Sequence, residues 1–186
     1  MNEVESLLQN NATFAAQQQA AGTLMPSLPE TLPFVRAIVI GCADMRVDPA
    51  HMLGLKLGEA VVMRNIGGRV TPGILRQLEL LGRIGQVAAA TPGGGGEFNV
   101  IVLHHTDCGI TRLKNDAVLL KDYFEVPETE VASKALADPR ESVKVDVAVL
   151  SGVEALPASW LLSGLVYDVH TGRVELVVPP APFRAA

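Results

Sequence analysis

Two apolar runs of the same kind occur along the chain, and each ends abruptly in polar residues. The first covers about residues 36–41 and the second about residues 98–104. Almost every position in both runs is apolar, without the alternation expected of a strand that has one face in water. Each run therefore predicts a central strand of a parallel sheet. A further strand is predicted within residues 59–68, which end in polar residues and two glycines.

Helical patterns separate these strands. An amphipathic helix is predicted from Pro72 onward, because apolar residues recur there at helical spacing. These residues are Ile74, Leu75, Leu78, Leu81 and Ile84. A short helix is predicted over residues 48–55, a longer one over about 113–123, and another from Pro139, with Val143, Val147 and Leu150 on one side.

The remaining elements complete an alternation of strands and helices. Residues 164–178 read as two strands around the sequence His170-Thr171-Gly172, which predicts a β-hairpin. Residues 91–97, TPGGGGE, predict a flexible surface turn and lack the Lys-Ser/Thr of a phosphate loop. The alternation favours an α/β fold with a largely parallel sheet.

The first thirty residues differ from the rest. Residues 1–30 combine a polar, helix-compatible stretch with a proline-punctuated linker that a helix cannot cross. Such an arm buries little apolar surface alone, so we expect it to pack on something else, such as a partner subunit. We predict a helical arm and linker over residues 1–30 and a single α/β domain over residues 31–186.

The composition excludes several classes of protein. A formal net charge of −5 and an aromatic content of 4% argue against a nucleic-acid-binding surface. No apolar run approaches the roughly 20 residues that cross a bilayer. No Lys or Arg precedes Arg36, which is atypical of a secretory or transit peptide. We therefore expect a cytoplasmic protein with reduced thiols and no membrane partner.

Three metal-binding side chains follow the two central strands. Cys42 comes directly after the first strand, while His105 and Cys108 follow the later one. The carboxyl ends of parallel strands are where functional groups of α/β sheets gather. Two thiolates and an imidazole are donors that zinc prefers, and three protein ligands leave one position open, as in catalytic zinc sites. The alternatives are a disulfide, a cysteine that acts as a nucleophile, or two buried cysteines and a buried histidine without a metal.

Asp44 and Arg46 lie close to the first of these cysteines. A carboxylate beside a zinc ion would normally coordinate it, but Arg46 offers a competing bidentate partner. Held in this way, Asp44 can accept a hydrogen bond from a zinc-bound water. A surface ion pair with no catalytic role is the alternative.

The other histidines and acidic residues receive no catalytic role. His104 should face away from His105 by strand alternation, so we expect it to pack or to support the site indirectly. His51 and His170 are expected in solvent. Asp107 is expected to cap the turn after its strand. Asp48 and Pro49 predict the start of a helix.

At these residues the sequence resembles the β-class carbonic anhydrases. Their signature of Cys-x-Asp-x-Arg followed by His-x-x-Cys stands here as CADMR from Cys42 and HTDC from His105. The intervening VVMRNIGGRVTP is similar to the family's RNAG segment, and HHTDCG is similar to the small archaeal and bacterial branch. The resemblance covers roughly residues 35–178.

The resemblance implies more than the spacing does. It implies a sheet of four parallel strands plus an antiparallel fifth, and a homodimer or higher oligomer whose N-terminal helix reaches over the neighbour. It also implies one Zn²⁺ per subunit, bound by Cys42, His105 and Cys108, with Asp44 and Arg46 as catalytic residues. The implied reaction is the reversible hydration of carbon dioxide to bicarbonate and a proton, through a zinc-bound hydroxide.

Two other functions remain open from the sequence. Hydrolysis of carbon disulfide or carbonyl sulfide uses the same ligands in members of this family. A non-catalytic zinc-storing or redox-sensing protein would have a closed site with four ligands and would not hydrate carbon dioxide at any pH. The presence of both Asp44 and Arg46 argues against the latter, because a purely structural site requires neither.

Overall fold

The computed structural model describes residues 2–88 and 98–184, so the predicted turn at residues 91–97 lies outside the described residues. The strands are β1 (Ala37–Cys42), β2 (Ala60–Asn65), β3 (Asn99–His105), β4 (Leu161–Asp168) and β5 (Arg173–Pro182). They form one sheet in the order β2-β1-β3-β4-β5. Strands β1 to β4 pair in parallel and β5 pairs antiparallel to β4. The expected fold, an α/β sheet with four parallel strands and an antiparallel fifth, is confirmed.

The helices flank this sheet. They are α1 (Glu3–Ala21), α2 (Leu28–Thr31), α3 (Pro49–Met52), α4 (Pro72–Ala88), α5 (Ala117–Phe124), α6 (Glu128–Lys134) and α7 (Pro139–Ser151). The start predicted for α5 was wrong by four residues, because Gly109–Leu113 forms a 3-10 turn and the Asp116 carboxylate caps the helix at Leu119 N. The proline-rich linker contains the single-turn helix α2, with its proline in the first turn, where the missing N–H costs no hydrogen bond.

The core forms where two helices cover the sheet. All six residues of β1 are buried, as predicted for a central strand. Helix α7 contacts β3, β4 and β5. Helix α4 contributes four of its five predicted apolar residues, whereas Ile84 is exposed. The main cluster of buried side chains includes Ile38, Ile40, Ile74, Leu78, Val100, Val102, Val143, Leu150 and Leu162.

The strand order places the ends of β1 and β3 side by side. Gly41 pairs with Leu103, so Cys42 and His105 leave the sheet at the same edge. The chain proceeds from β1 to one neighbour, β2, and later returns on the other side as β3. This is the point in an open α/β sheet where strand order reverses and functional sites form.

A buried ionic network lies on the α7 side of the sheet. The Arg69 guanidinium donates to both carboxylate oxygens of Asp146, at 2.6 and 3.2 Å, and to the Lys134 carbonyl at 2.5 Å. The His104 Nε2 lies 3.1 Å from Asp146 Oδ2, and the Phe124 ring lies 4.9 Å from the guanidinium carbon. Burial alone would raise the pKa of Asp146, but its bonds with His104 and Arg69 outweigh burial and lower it. The network joins β3, α6 and α7 to the segment after β2.

Helix α1 is the least supported element. It has 19 residues, and none of its side chains is buried. Its N-terminus is closed by a capping box between Asn2 and Glu5, and Gly22 ends it in the left-handed conformation. Across residues 2–88 and 98–184, no helix is both long and apolar enough to cross a bilayer.

Candidate metal centre

Three predicted ligands meet at the edge of the sheet. Cys42 ends β1, His105 ends β3, and Cys108 lies in the turn that follows. One donor atom from each lies within 4.8 Å of the others, and all three residues are buried. The structure thus brings together donors from two loops that are distant in sequence, and these residues could hold one metal ion.

His105 is oriented for metal binding. Its Nδ1 lies 2.9 Å from the Thr106 carbonyl oxygen, which can only accept, so the proton belongs on Nδ1. The lone pair then lies on Nε2, which is buried and has no hydrogen-bond partner. Leaving a buried polar atom unpaired is costly unless it binds something. Histidines that bind a metal through one ring nitrogen typically donate the N–H of the other to a carbonyl or carboxylate oxygen, as Nδ1 does here.

The spacing of the donors fits zinc. The two sulfur atoms lie 3.7 Å apart. A tetrahedral ion with Zn–S bonds of about 2.3 Å would separate its sulfurs by about 3.8 Å. The cysteines are free thiols rather than a disulfide. The donor set and its spacing therefore fit a zinc ion, with three protein ligands and one remaining position.

The two thiols influence each other strongly. The contact with the Cys108 sulfur, 3.7 Å away, is the main cause that lowers the pKa of Cys42. The same contact, together with burial, raises the pKa of Cys108. Ionisation of one thiol therefore disfavours ionisation of the other, because two thiolates this close repel each other. A divalent cation would stabilise both thiolates.

Backbone groups surround the Cys42 sulfur. The amide of Asp44 donates to it at 3.4 Å, and the amide of Gly67 donates at 3.3 Å. The segment of Gly67 approaches very closely, since a Cβ on Gly68 would lie 2.9 Å from Cys42 N. Gly68 also has a φ of +65°, so a side chain here would be both crowded and strained. Glycine therefore lets this turn deliver an N–H to the sulfur.

The same turn is held in place from α5. The Tyr123 hydroxyl donates to the Ile66 carbonyl at 2.6 Å. The Asn65 side chain brackets the turn from the other end, since it accepts from Arg69 N and donates to Arg69 O. Burial raises the pKa of Tyr123 to about 12, so the hydroxyl stays protonated and remains a donor.

Asp44 and Arg46 form a bidentate pair. Arg46 Nε donates to Asp44 Oδ1 at 3.0 Å, and Nη2 donates to Oδ2 at 2.8 Å. Asp44 Oδ2 lies 3.9 Å from the unpaired His105 Nε2. The hydrogen bonds from Arg46 hold the pKa of Asp44 well below its usual range. Asp44 is therefore an ionised acceptor directly beside the donor cluster.

Arg64 supports the loop that carries these residues. Its guanidinium donates to the carbonyls of Cys42, Asp44 and Val47, at 2.7 to 2.9 Å. The sequence places Arg64 at this edge of the sheet but does not identify its partners. Three carbonyl contacts from one side chain fix the path of the chain between Cys42 and α3.

The expectation for Asp107 was incomplete. Its side chain accepts from Arg46 Nη1 at 2.9 Å and from Arg112 Nη2 at 3.0 Å, so it belongs to the group around Asp44. Its φ of +53° is unusual for a residue other than glycine. A carboxylate directly before a metal-binding cysteine, with an arginine five residues on, is the sequence signal that points to this role.

The other histidines lie apart from the cluster. His104 faces the opposite side of the sheet from His105 and contacts Asp146, so its expected packing role is correct. His51 and His170 are exposed, as expected. Asp48 begins α3 and accepts from the amide of His51 at 3.1 Å, as its helix-start pattern predicts.

Comparisons with known proteins agree with this arrangement. The family model described as carbonic anhydrase matches residues 37–146, which include both ligand loops and Asp146. A relative named β-carbonic anhydrase 1, from Mycobacterium tuberculosis, is 28% identical over 96% of this chain and 100% of its own. A carbon disulfide hydrolase from Acidianus sp. is 26% identical, over 75% of this chain and 76% of its own.

A solved structure gives the same result. The carbonic anhydrase of Streptococcus mutans superposes with a TM-score of 0.69 at 31% identity, and the match covers 95% of this chain and 98% of that one. The family match spans more than half of the chain, and the fold agrees over nearly its whole length. The chain therefore belongs to the β-carbonic anhydrase family.

Proposed function

We propose that this protein binds one zinc ion through Cys42, His105 and Cys108 and catalyses the reversible hydration of carbon dioxide to bicarbonate and a proton. One observation carries the proposal. The unpaired Nε2 of His105 faces two thiols that lie 3.7 Å apart, and the ionised Asp44 lies 3.9 Å from that nitrogen. A structural zinc site would have no use for this nearby carboxylate, which Arg46 keeps paired.

Zinc in this donor set would supply Lewis acidity, which lowers the pKa of a bound water toward neutrality. The protein's own groups would do the rest. Asp44 would accept a hydrogen bond from the reacting water and so orient its attacking lone pair. Arg46 would keep this carboxylate ionised and pointing toward the reaction, since it pairs with both carboxylate oxygens.

The backbone amides of Asp44 and Gly67 would reduce the charge that the Cys42 thiolate donates to the metal. Both donate to the Cys42 sulfur and would withdraw charge from this thiolate. Two thiolates donate more charge to a metal than imidazoles do, which would make the metal a weaker Lewis acid. Hydrogen bonds to the sulfur oppose this effect and would help to keep the metal effective near neutral pH.

Metal analysis and stopped-flow kinetics on the purified protein test the proposal. We expect about one zinc per chain and carbon dioxide hydration far above the buffer rate, lost on chelation and restored by zinc. Zinc without hydration at any pH between 6 and 9 would point to the non-catalytic alternative. Protein that takes up no zinc would remove the proposal altogether.

Hydrolysis of carbon disulfide or carbonyl sulfide is the second candidate. The similarity to the Acidianus carbon disulfide hydrolase favours it, because that match covers three quarters of both chains. Carbon dioxide and carbon disulfide are both linear and apolar, so the same donor cluster could serve either. Turnover of the two substrates on one preparation discriminates between them, with hydrogen sulfide release measured for carbon disulfide.

We also propose that residues 1–30 act as an arm on a partner subunit, that residues 31–186 form the catalytic domain, and that the protein is a cytoplasmic homodimer or larger oligomer. The arm supports this proposal, because α1 exposes Val4, Leu7, Leu8 and Phe14 and buries none of its residues. Analytical ultracentrifugation of the full chain and of a chain lacking residues 1–24 provides the test. We expect the truncation to weaken association. A full chain that remains monomeric at micromolar concentration contradicts the proposal.

A further inference from the structure

Asp107 connects the two loops that carry the metal-binding residues. It lies between His105 and Cys108, and its carboxylate accepts from Arg46 Nη1 at 2.9 Å. Its carbonyl oxygen accepts from Arg46 Nη2, also at 2.9 Å. Arg46 belongs to the other loop, four residues after Cys42. One guanidinium therefore spans the two halves of the donor cluster.

The contacts of Arg46 divide its guanidinium into two sides. Nε and Nη2 donate to the two oxygens of Asp44, while Nη1 and Nη2 donate to the carboxylate and the carbonyl oxygen of Asp107. A guanidinium is planar, so partners on the Nη1/Nη2 edge restrict the direction in which the adjacent Nε/Nη2 edge points. Asp107 thereby adds to the bonds from Asp44 in holding that edge toward Asp44.

Arg112 holds Asp107 in turn. Its Nη2 donates to the second oxygen of Asp107 at 3.0 Å, so each carboxylate oxygen of Asp107 has its own arginine. Hydrogen bonds from Arg46 and Arg112 lower the pKa of Asp107. Charges thus alternate in the order Asp44, Arg46, Asp107 and Arg112, leading from the donor cluster to the surface.

We propose that Asp107 is a positioning residue that orients Arg46 and, through Arg46, keeps Asp44 off the metal. The inference deepens the proposed function and depends on its metal centre. Asp44 Oδ2 lies 3.9 Å from His105 Nε2, and a carboxylate so close to a metal site is itself a possible ligand. When Asp107 is lost, Arg46 turns more freely, and Asp44 competes for the position left open by the three protein ligands.

The chain offers a closely matched control. Asp107 and Glu125 both have a φ of +53°, and they are the two described residues other than glycine with positive φ. Each carboxylate also pairs with an exposed arginine, and Glu125 lies 3.2 Å from Arg76. Glycine adopts this backbone conformation without strain. Asp107→Gly and Glu125→Gly therefore delete the same kinds of group, but only one contacts Arg46.

The test uses the full chain loaded with Co²⁺ in place of zinc, and thiocyanate as the probe anion at one fixed pH. The visible spectrum of cobalt reports thiocyanate binding directly, without turnover. We expect Asp107→Gly to raise the thiocyanate Kd about fivefold, as suits the loss of one partly exposed charged contact. Glu125→Gly should leave the Kd unchanged. Asp107→Asn keeps an oxygen for Nη1 and should show a smaller increase than Asp107→Gly.

Each failure has a distinct meaning. Wild-type protein that takes up no Co²⁺ contradicts the metal centre itself. Cobalt-loaded Asp107→Gly that binds thiocyanate as tightly as wild type, or more tightly, overturns the positioning role alone. Should the glycine variant fold poorly, Asp107→Asn removes the charge and tolerates this backbone conformation, and a thiocyanate Kd no weaker than wild type then overturns the positioning role.

Discussion

Replacement of Asp146 by alanine tests how much the buried network stabilises the fold. Asp146 is fully buried, and Arg69 is only 2% exposed. The substitution leaves the Arg69 guanidinium buried with one remaining hydrogen bond, to the Lys134 carbonyl. Removing one partner of a buried ion pair costs about 3–5 kcal/mol, because the other charge is left uncompensated. A domain has only about 5–15 kcal/mol of stability in total.

Urea unfolding and thermal melting at fixed protein concentration measure this cost. For a chain of this size, each kcal/mol shifts the melting temperature by about 2–4 °C, so we expect a decrease of roughly 6–20 °C. The control is Glu175→Ala, which removes the exposed partner of Arg140 and should cost under about 1 kcal/mol. If Asp146→Ala costs no more than Glu175→Ala, the network does not stabilise the fold as argued.

The pH dependence of this difference follows from the pKa of Asp146. That pKa is lowered in the folded protein, so folding favours the ionised carboxylate. The stabilisation is fully present above the unfolded value of about 3.9 and is lost as the pH falls through the folded value. The difference between wild type and Asp146→Ala should therefore be constant near neutrality and shrink in acid. A difference that grows below pH 4 would contradict the assigned charge state.

Three further predictions concern the metal centre. Asp44→Ala should retain zinc but lose about 100-fold or more in kcat/KM for carbon dioxide, which is typical of losing a group that handles the reacting proton. Stopped-flow rates equal to those of wild type would show that Asp44 has no catalytic role. Cys108→Ser should lose most of its zinc and melt at a lower temperature, as measured by elemental analysis and calorimetry, whereas stoichiometric zinc would show that Cys108 is not a ligand. Tyr123→Phe removes the hydrogen bond to the Ile66 carbonyl and should lower the free energy of unfolding by about 1 kcal/mol, as measured by urea unfolding. An unchanged urea midpoint would mean that water replaces the hydroxyl.

Much of the fold can be predicted because it follows from local patterns. The apolar runs predict β1 and β3, and the strand-end positions of Cys42 and His105 follow from them. The rule that parallel strands end at the same edge then predicts their proximity. Asp48 with Pro49 predicts the start of α3 for an equally local reason.

Other features depend on contacts between distant residues. Arg69 and Asp146 are 77 positions apart, and nothing near either residue in the sequence indicates the other. The link between Arg46 and Asp107 spans 61 positions and depends on the path of both loops. Helix α6 was not predicted because it is short and Val131 is its only buried residue, which leaves no apolar periodicity to detect.

The exposure of α1 also bears on how the protein should be handled. A helix of 19 residues without buried side chains is only marginally stable by itself in water. If a neighbouring subunit covers it, dilution separates the subunits and lets the helix fray. Proteases would then cut the first twenty residues faster in dilute samples than in concentrated ones, so storage concentration would decide whether preparations keep an intact N-terminus.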